Sequence, residues 1–316
     1  MRARHPVSRA ETPLRVVILA GEVGFCFGVK RAITMAEDAL VQDEPVYIHG
    51  DLVHNRNVTD DLESRGLQKV RSLEGRPRGS VVVRAHGLPR TEVEEAKEAG
   101  YRIIDATCPI VLRAQEAAQM MEARGCQVVI IGDAHHAEIK GIIGALHHPA
   151  LVIDTVEQLR NAKATRALRR KVGVIFQTTH ALELCKDIVG ELVFMCKEVQ
   201  IVNTICRPVQ NRQDAALSVA EDVDMMLVVG SPTSANTMEL TALCHAHNPW
   251  TRHIEGAEGL RDEDLCWAHT IGIASGLSTP VHLIDEVRSA ILARTDEPDF
   301  SRRPPREFYE LRRHGG

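Results

Sequence analysis

Aromatic side chains are scarce in this chain of 316 residues, at 3% of the total. That excludes the successive stacking platforms on which proteins lay out single-stranded bases. Positive charge is not in excess either: 38 Lys and Arg stand against 43 Asp and Glu, a formal net charge of −5. Nucleic acid is therefore not expected as a partner, and any anionic ligand must be held by local donors. No apolar run is long enough for a membrane span, and the polar start "MRARHPVSRAETP" does not read as a signal peptide. The eight cysteines contain no CxxC pair, which removes the usual zinc-ribbon and thioredoxin signatures. Without an export signal they read as reduced thiols or metal ligands, and the protein as cytoplasmic.

What is present is regular. Apolar runs, "RVVILAG", "PVYIHG", "SVVVRAHG", "QVVIIGD", "KVGVIFQTT", "DMMLVVGS" and "TIGIASG", alternate with helical patterns. This is the sign of an α/β protein with parallel strands, whose carboxyl ends are where ligands bind. Three cysteines share one register: Cys26 to Gly50, Cys108 to Gly132 and Cys206 to Gly230 each span 24 residues. After each glycine come a second helical segment and a second strand, ending near His86, Thr178 and Ser278. The unit of cysteine, helix, strand, helix, strand thus repeats three times. It divides the chain into an irregular start at 1–14, lobes at 15–107, 108–205 and 206–294, and a polar tail at 295–316 expected to wrap the surface.

Each cysteine of the trio lies where a strand gives way to a helix. Pro109 and Pro208 fall at or just inside helix starts, where a missing N–H costs little. A thiol at a helix N-terminus meets unpaired N–H groups that favour its thiolate. Lobes packed around a pseudo-threefold axis would bring the three sulfurs together. Three thiolates suit zinc or an iron–sulfur cluster. Structural zinc wants a fourth protein ligand and clustered cysteines, whereas a four-iron cubane on three cysteines keeps one iron open to a substrate oxygen. Cys126, Cys185, Cys196, Cys244 and Cys266 lack the register and read as core or surface thiols.

The loops after the strands offer further groups: His54 and Asn55, His86, His135 with His136 and Glu138, Thr178, Ser231 and Ser234 with Asn236, and Ser278. Imidazoles, hydroxyls, an amide and helix starts suit a phosphate or diphosphate. Each also has a plainer reading. Asn55 or Ser231 could simply cap a helix, and the adjacent His135 and His136 are not separable by pattern. Glu138 is the one carboxylate at the helix start of its histidine-rich loop; in a dry pocket such a carboxyl can supply a proton.

The set "GFCFGVKRAI", "VHNRNV", "RAHG", "DATCP", "HHAE", "QTT", "TIC…NRQ", "SPTSAN" and "ASGLSTP" resembles the 4-hydroxy-3-methylbut-2-enyl diphosphate reductases, in the family's order from about Val16 to Val287. The resemblance implies a trefoil of three α/β lobes with small parallel sheets around a central 4Fe–4S cluster held by Cys26, Cys108 and Cys206. It implies reductive removal of the allylic hydroxyl, giving isopentenyl and dimethylallyl diphosphates in the methylerythritol-phosphate pathway. The diphosphate would be held by His54, His86, His136, Ser234, Asn236 and Ser278. Thr178 would bond the substrate hydroxyl, Glu138 would deliver the proton, and a ferredoxin, flavodoxin or similar donor would bring electrons. Three departures stand out: Ala235 where the family carries a second serine, Ala137 in place of proline before Glu138, and "RPVQ" after Cys206.

Overall fold

A computed structural model describes residues 15–21, 23–42, 44–180, 182–294 and 298–303. The chain opens with β1 (Val16–Leu19), α1 (Phe27–Leu40), β2 (Val46–Ile48), α2 (Arg56–Ser64), β3 (Leu67–Lys69), β4 (Ser80–Val83), α3 (Arg90–Glu98) and β5 (Arg102–Asp105). There follow α4 (Pro109–Ala123), β6 (Gln127–Ile131), α5 (Ala137–Ile143), β7 (Leu151–Ile153), α6 (Val156–Ala164), β8 (Lys171–Phe176), α7 (Leu182–Met195) and β9 (Glu198–Ile201). The last third holds α8 (Arg207–Ala220), β10 (Met225–Val229), α9 (Ala235–His247), β11 (Thr251–Ile254), α10 (Asp262–Leu265), β12 (Thr270–Ser275) and α11 (Val281–Leu292).

The strands form three parallel sheets in the orders β3-β2-β4-β5, β7-β6-β8-β9 and β11-β10-β12-β1. The three orders are equivalent, so the expected α/β architecture with a threefold repeat is what forms. Its inner strands are buried on both faces, because the helices that connect parallel strands cover both sides. In the second sheet, Val129, Ile131 and Val174 face one apolar cluster while Val128, Ile130 and Ile175 face another.

One boundary needs correcting. The first lobe, expected at 15–107, starts with β1, and β1 pairs with β12 in the sheet of the third lobe, with Val17 opposite Ile271. The reason is the repeat itself. β5 ends the first sheet before Cys108, β9 ends the second before Cys206, and β1 holds the equivalent place before Cys26. Each cysteine therefore stands at the passage from one sheet to the next, and the start of the chain closes the ring.

Of the tail, the described stretch 298–303 lies on the third lobe. The Asp299 N–H donates to the Cys266 carbonyl at 2.7 Å, and the Arg303 guanidinium stacks 3.4 Å from the ring centre of Trp250. The irregular start at 1–14 and the rest of the tail fall outside the described residues.

Candidate functional site

All three registered cysteines are helix N-caps, with extended backbone, for α1, α4 and α8. The Cys26 sulfur accepts the Val29 N–H at 3.5 Å. A second regularity joins them to the loops behind. The N–H of Cys26 donates to Leu277 O at 3.0 Å, that of Cys108 to Ala85 O at 2.9 Å, and that of Cys206 to Thr178 O at 2.8 Å. Leu277 precedes Ser278 and Ala85 precedes His86, so every cysteine is pinned beside a loop residue that the sequence marks for the site. Gly28 explains how α1 and α4 come so close: a Cβ there would stand 2.7 Å from the Cys108 sulfur and 3.9 Å from that of Cys26.

The three sulfurs line one cavity together with His54, His86, Glu138, Thr178, Ser234, Asn236 and Ser278. Convergence of the trio is thus a property of the fold. For Cys108 and Cys206, however, the expected thiolate preference is reversed. Burial pushes Cys206 up to about 11 and also raises Cys108, outweighing the pull of the helix N–H groups. The thiols would release protons on taking a metal. The donor set fits a cluster: three thiols from three helix starts around a cradle that a single Cβ at Gly28 would fill, with no fourth cysteine among the described residues lining the cavity.

Behind the sulfurs sit three imidazoles. Ring centres are 4.4 Å apart for His54 and His86, 5.8 Å for His54 and His136, and 5.6 Å for His86 and His136. Desolvation lowers all three, His136 to about 4 and His86 well below its usual range, with Arg84 adding to the effect. They are neutral near pH 7. The Glu138 N–H donates to His136 Nδ1 at 3.3 Å, which leaves the ring proton on Nε2. His54 Nε2, His86 Nδ1 and Asn236 Nδ2 are buried without a protein partner, which marks a pocket made for a polar ligand. The pair that pattern left open is separated here: His136 is buried in the trio, while His135 is exposed and spends its N–H on Asp133.

Glu138 is 1% exposed. Its two oxygens accept the Thr178 N–H and the Thr178 hydroxyl, each at 2.7 Å. Burial nevertheless raises it to about 7, against the pull of those bonds and of His180. A carboxyl poised there holds a proton near neutrality and can give it up.

Of the remaining groups, Asn55 Oδ1 accepts the Val58 N–H and Ser234 Oγ accepts the Thr237 N–H, so both cap helices. Ser278 donates to His54 O at 3.2 Å. Ser231 folds onto Thr233 and caps nothing. Two groups escaped the sequence reading although they lie in or directly beside quoted motifs. Arg84, from "VRAHG", lines an outer pocket with Lys140, His135 and Ala235. His180, from "FQTTH", faces Glu239 at 3.1 Å and Asp154 at 3.6 Å, joining the third lobe to the second. Proximity in the fold is the only signal for either.

The profile of the LytB protein family matches residues 17–292. The chain belongs to the LytB family. LytB relatives include a protein of Geobacter sulfurreducens, 38% identical over 274 residues, covering 86% of this chain and 95% of the relative. Another, from Aquifex aeolicus, is 36% identical over 279 residues, covering 87% and 95%. Both are named 4-hydroxy-3-methylbut-2-enyl diphosphate reductase. Two solved LytB-like structures carry equivalent names. One, described as the terminal enzyme of the non-mevalonate pathway, is 35% identical with a TM-score of 0.65, covering 88% of this chain and 100% of its own. The other, from Plasmodium falciparum, is 27% identical with a TM-score of 0.81, covering 90% and 89%. Among the described residues no helix is long and apolar enough to cross a membrane.

Proposed function

We propose that this LytB protein reductively dehydroxylates 4-hydroxy-3-methylbut-2-enyl diphosphate to isopentenyl and dimethylallyl diphosphates, the last step of the methylerythritol-phosphate pathway. One observation carries the reading: a buried carboxyl that keeps its proton near neutrality shares a cavity with three converging cysteines and two neutral histidines, His54 and His86, against which His136 packs. Cys26, Cys108 and Cys206 would hold a 4Fe–4S cluster. When bound, it supplies single electrons and an iron corner free of protein ligands, able to act as a Lewis acid.

The chain's own residues do the rest. His54, His86, His136, Ser234, Asn236 and Ser278 bind the diphosphate as neutral donors; His54, His86 and Asn236 each bring a buried side-chain atom that has no protein partner. Thr178 holds the allylic hydroxyl, and Glu138 gives it the proton with which it leaves as water. Closure of the cavity keeps bulk water from the allyl fragment. Electrons come from a ferredoxin, flavodoxin or similar donor.

The test is turnover without oxygen: the reduced, cluster-loaded protein should consume the hydroxylated diphosphate and release both alkenes. Full loading without turnover would overturn the reading. Glu138→Gln should keep substrate affinity and lose about 100-fold or more in kcat, the worth of a general acid. A competing reading, a reductase of another allylic diphosphate, draws on Ala235, which lines the outer pocket beside Arg84 and Lys140. Faster turnover of a longer hydroxylated diphosphate in the same assay would favour it.

A further inference from the structure

The residues that would hold the substrate come from three lobes, so they serve only while the lobes stand in register. His136, Glu138 and Thr178 belong to the second lobe, and Ser234, Asn236 and Ser278 to the third. The third lobe reaches the first through Ser278, whose hydroxyl donates to His54 O at 3.2 Å. It reaches the second through a histidine that does not line the cavity. His180, two residues after Thr178, sets Nδ1 3.1 Å from Glu239 Oε1 and Nε2 3.6 Å from Asp154 Oδ1. Glu239 is on α9, three residues after Asn236 and about 4.5 Å further along the axis. Asp154 directly follows β7.

This is no loose surface pair. The His180 and Glu239 side chains are 12% and 11% exposed, and charges so far removed from water are costly to separate. Burial by itself disfavours the charged imidazole, but the bond to Glu239, together with Asp154 and Glu138, raises its pKa. The backbone behind His180 is equally fixed. Its N–H donates to Gln177 O at 3.0 Å. Gln177 Oε1 accepts the Asp133 N–H at 3.0 Å, and Gln177 Nε2 donates to Thr179 Oγ1 at 3.0 Å. The loop that leads to Glu138 is thus tied to the turn that carries Thr178, and Glu138 itself accepts both Thr178 bonds. On the other side Ser234 caps α9, so the first turn of that helix moves with Glu239. His180 is also the weakest influence on Glu138, behind burial and the two bonds from Thr178. Its leverage is on placement, not on the proton.

We propose that His180 is a positioning residue, a clamp between Glu239 and Asp154 that sets the Thr178 turn of the second lobe against the start of α9 in the third. The proposal rests on the reductase reading. Asn236, whose Nδ2 is buried without a protein partner, is thereby held where a diphosphate bound to His54 and His86 meets it. Thr178 and Glu138 keep their own bonds without the clamp, so its loss falls on binding rather than on the chemical step.

The test compares the cluster-loaded protein, supplied with dithionite-reduced methyl viologen, with His180→Leu, Glu239→Gln and the double variant. Glu239→Gln keeps the side chain's shape and leaves an imidazole that can shed its proton, so it should fold. Each single substitution should raise KM for 4-hydroxy-3-methylbut-2-enyl diphosphate about tenfold and leave kcat within about twofold. The Ki of inorganic diphosphate, a competitor without an allylic hydroxyl, should rise in step. The double variant should cost no more than the worse single one, because both remove the same contact. A purely structural pair would lower the melting temperature with KM and Ki unchanged, and that result would overturn the proposal. So would a fall in kcat at constant KM, which would place His180 in the proton chemistry, or costs that add in the double variant. Failure of the unaltered, fully loaded protein to consume the hydroxylated diphosphate would instead bring down the reductase reading, and this proposal with it.

Discussion

A carboxyl with a pKa of about 7 is useful only while it holds its proton. The acid form of Glu138 prevails below that value and is lost as pH rises through it, so kcat should fall above about pH 7. A kcat–pH profile flat from pH 6 to about 9 would refute the proton role. The cysteine side is as exacting. Gly28→Ala would put a methyl 2.7 Å from the Cys108 sulfur. The variant should keep its far-ultraviolet circular dichroism but carry less iron and sulfide per chain. Cys206→Ser should bleach the visible absorption of the loaded protein, and an unaltered spectrum would contradict its place among the ligands. At this scale the sequence marked the correct residue types, yet not their states. Neutral histidines, a raised carboxyl and the raised thiols of Cys108 and Cys206 all follow from desolvation, which depends on what other lobes bring alongside.

Among the elements, legibility followed burial. Six of the apolar runs in the sequence are the inner strands β2, β4, β6, β8, β10 and β12, and the seventh is β1. The edge strands β3, β5, β7, β9 and β11 were not among them. "RIID" and "EVQI" are exposed at both ends and only half-buried between, because an edge strand is covered on fewer sides. Helix starts were easier, since capping is a property of adjacent residues. Asn55 shows that a cap and a site can share a loop: its side chain secures α2 while its neighbour His54 enters the cavity. Asn55→Ala should cost about 1 kcal/mol by thermal unfolding, the worth of an N-cap. It should also raise KM for the diphosphate by freeing the His54 loop. A stability loss with unchanged KM would show that the cap acts on the helix alone.

At the scale of the molecule, the ring is closed by its first described strand. Removing residues 1–19 would strip β1 from β12 and bare a sheet edge beside an apolar core. The truncated protein should aggregate, and a soluble, iron-binding product would disprove that closure is required. The sequence by itself determined the α/β class, the threefold repeat, the cysteines at helix starts and the candidate residues of the loops. All of these are written in spacings and periods within a few dozen residues. Only the tertiary structure decided which sheet takes β1, which of His135 and His136 turns inward, and how Glu138 meets Thr178. The physical reason is distance along the chain. Strand pairing and desolvation act between groups that folding alone makes neighbours.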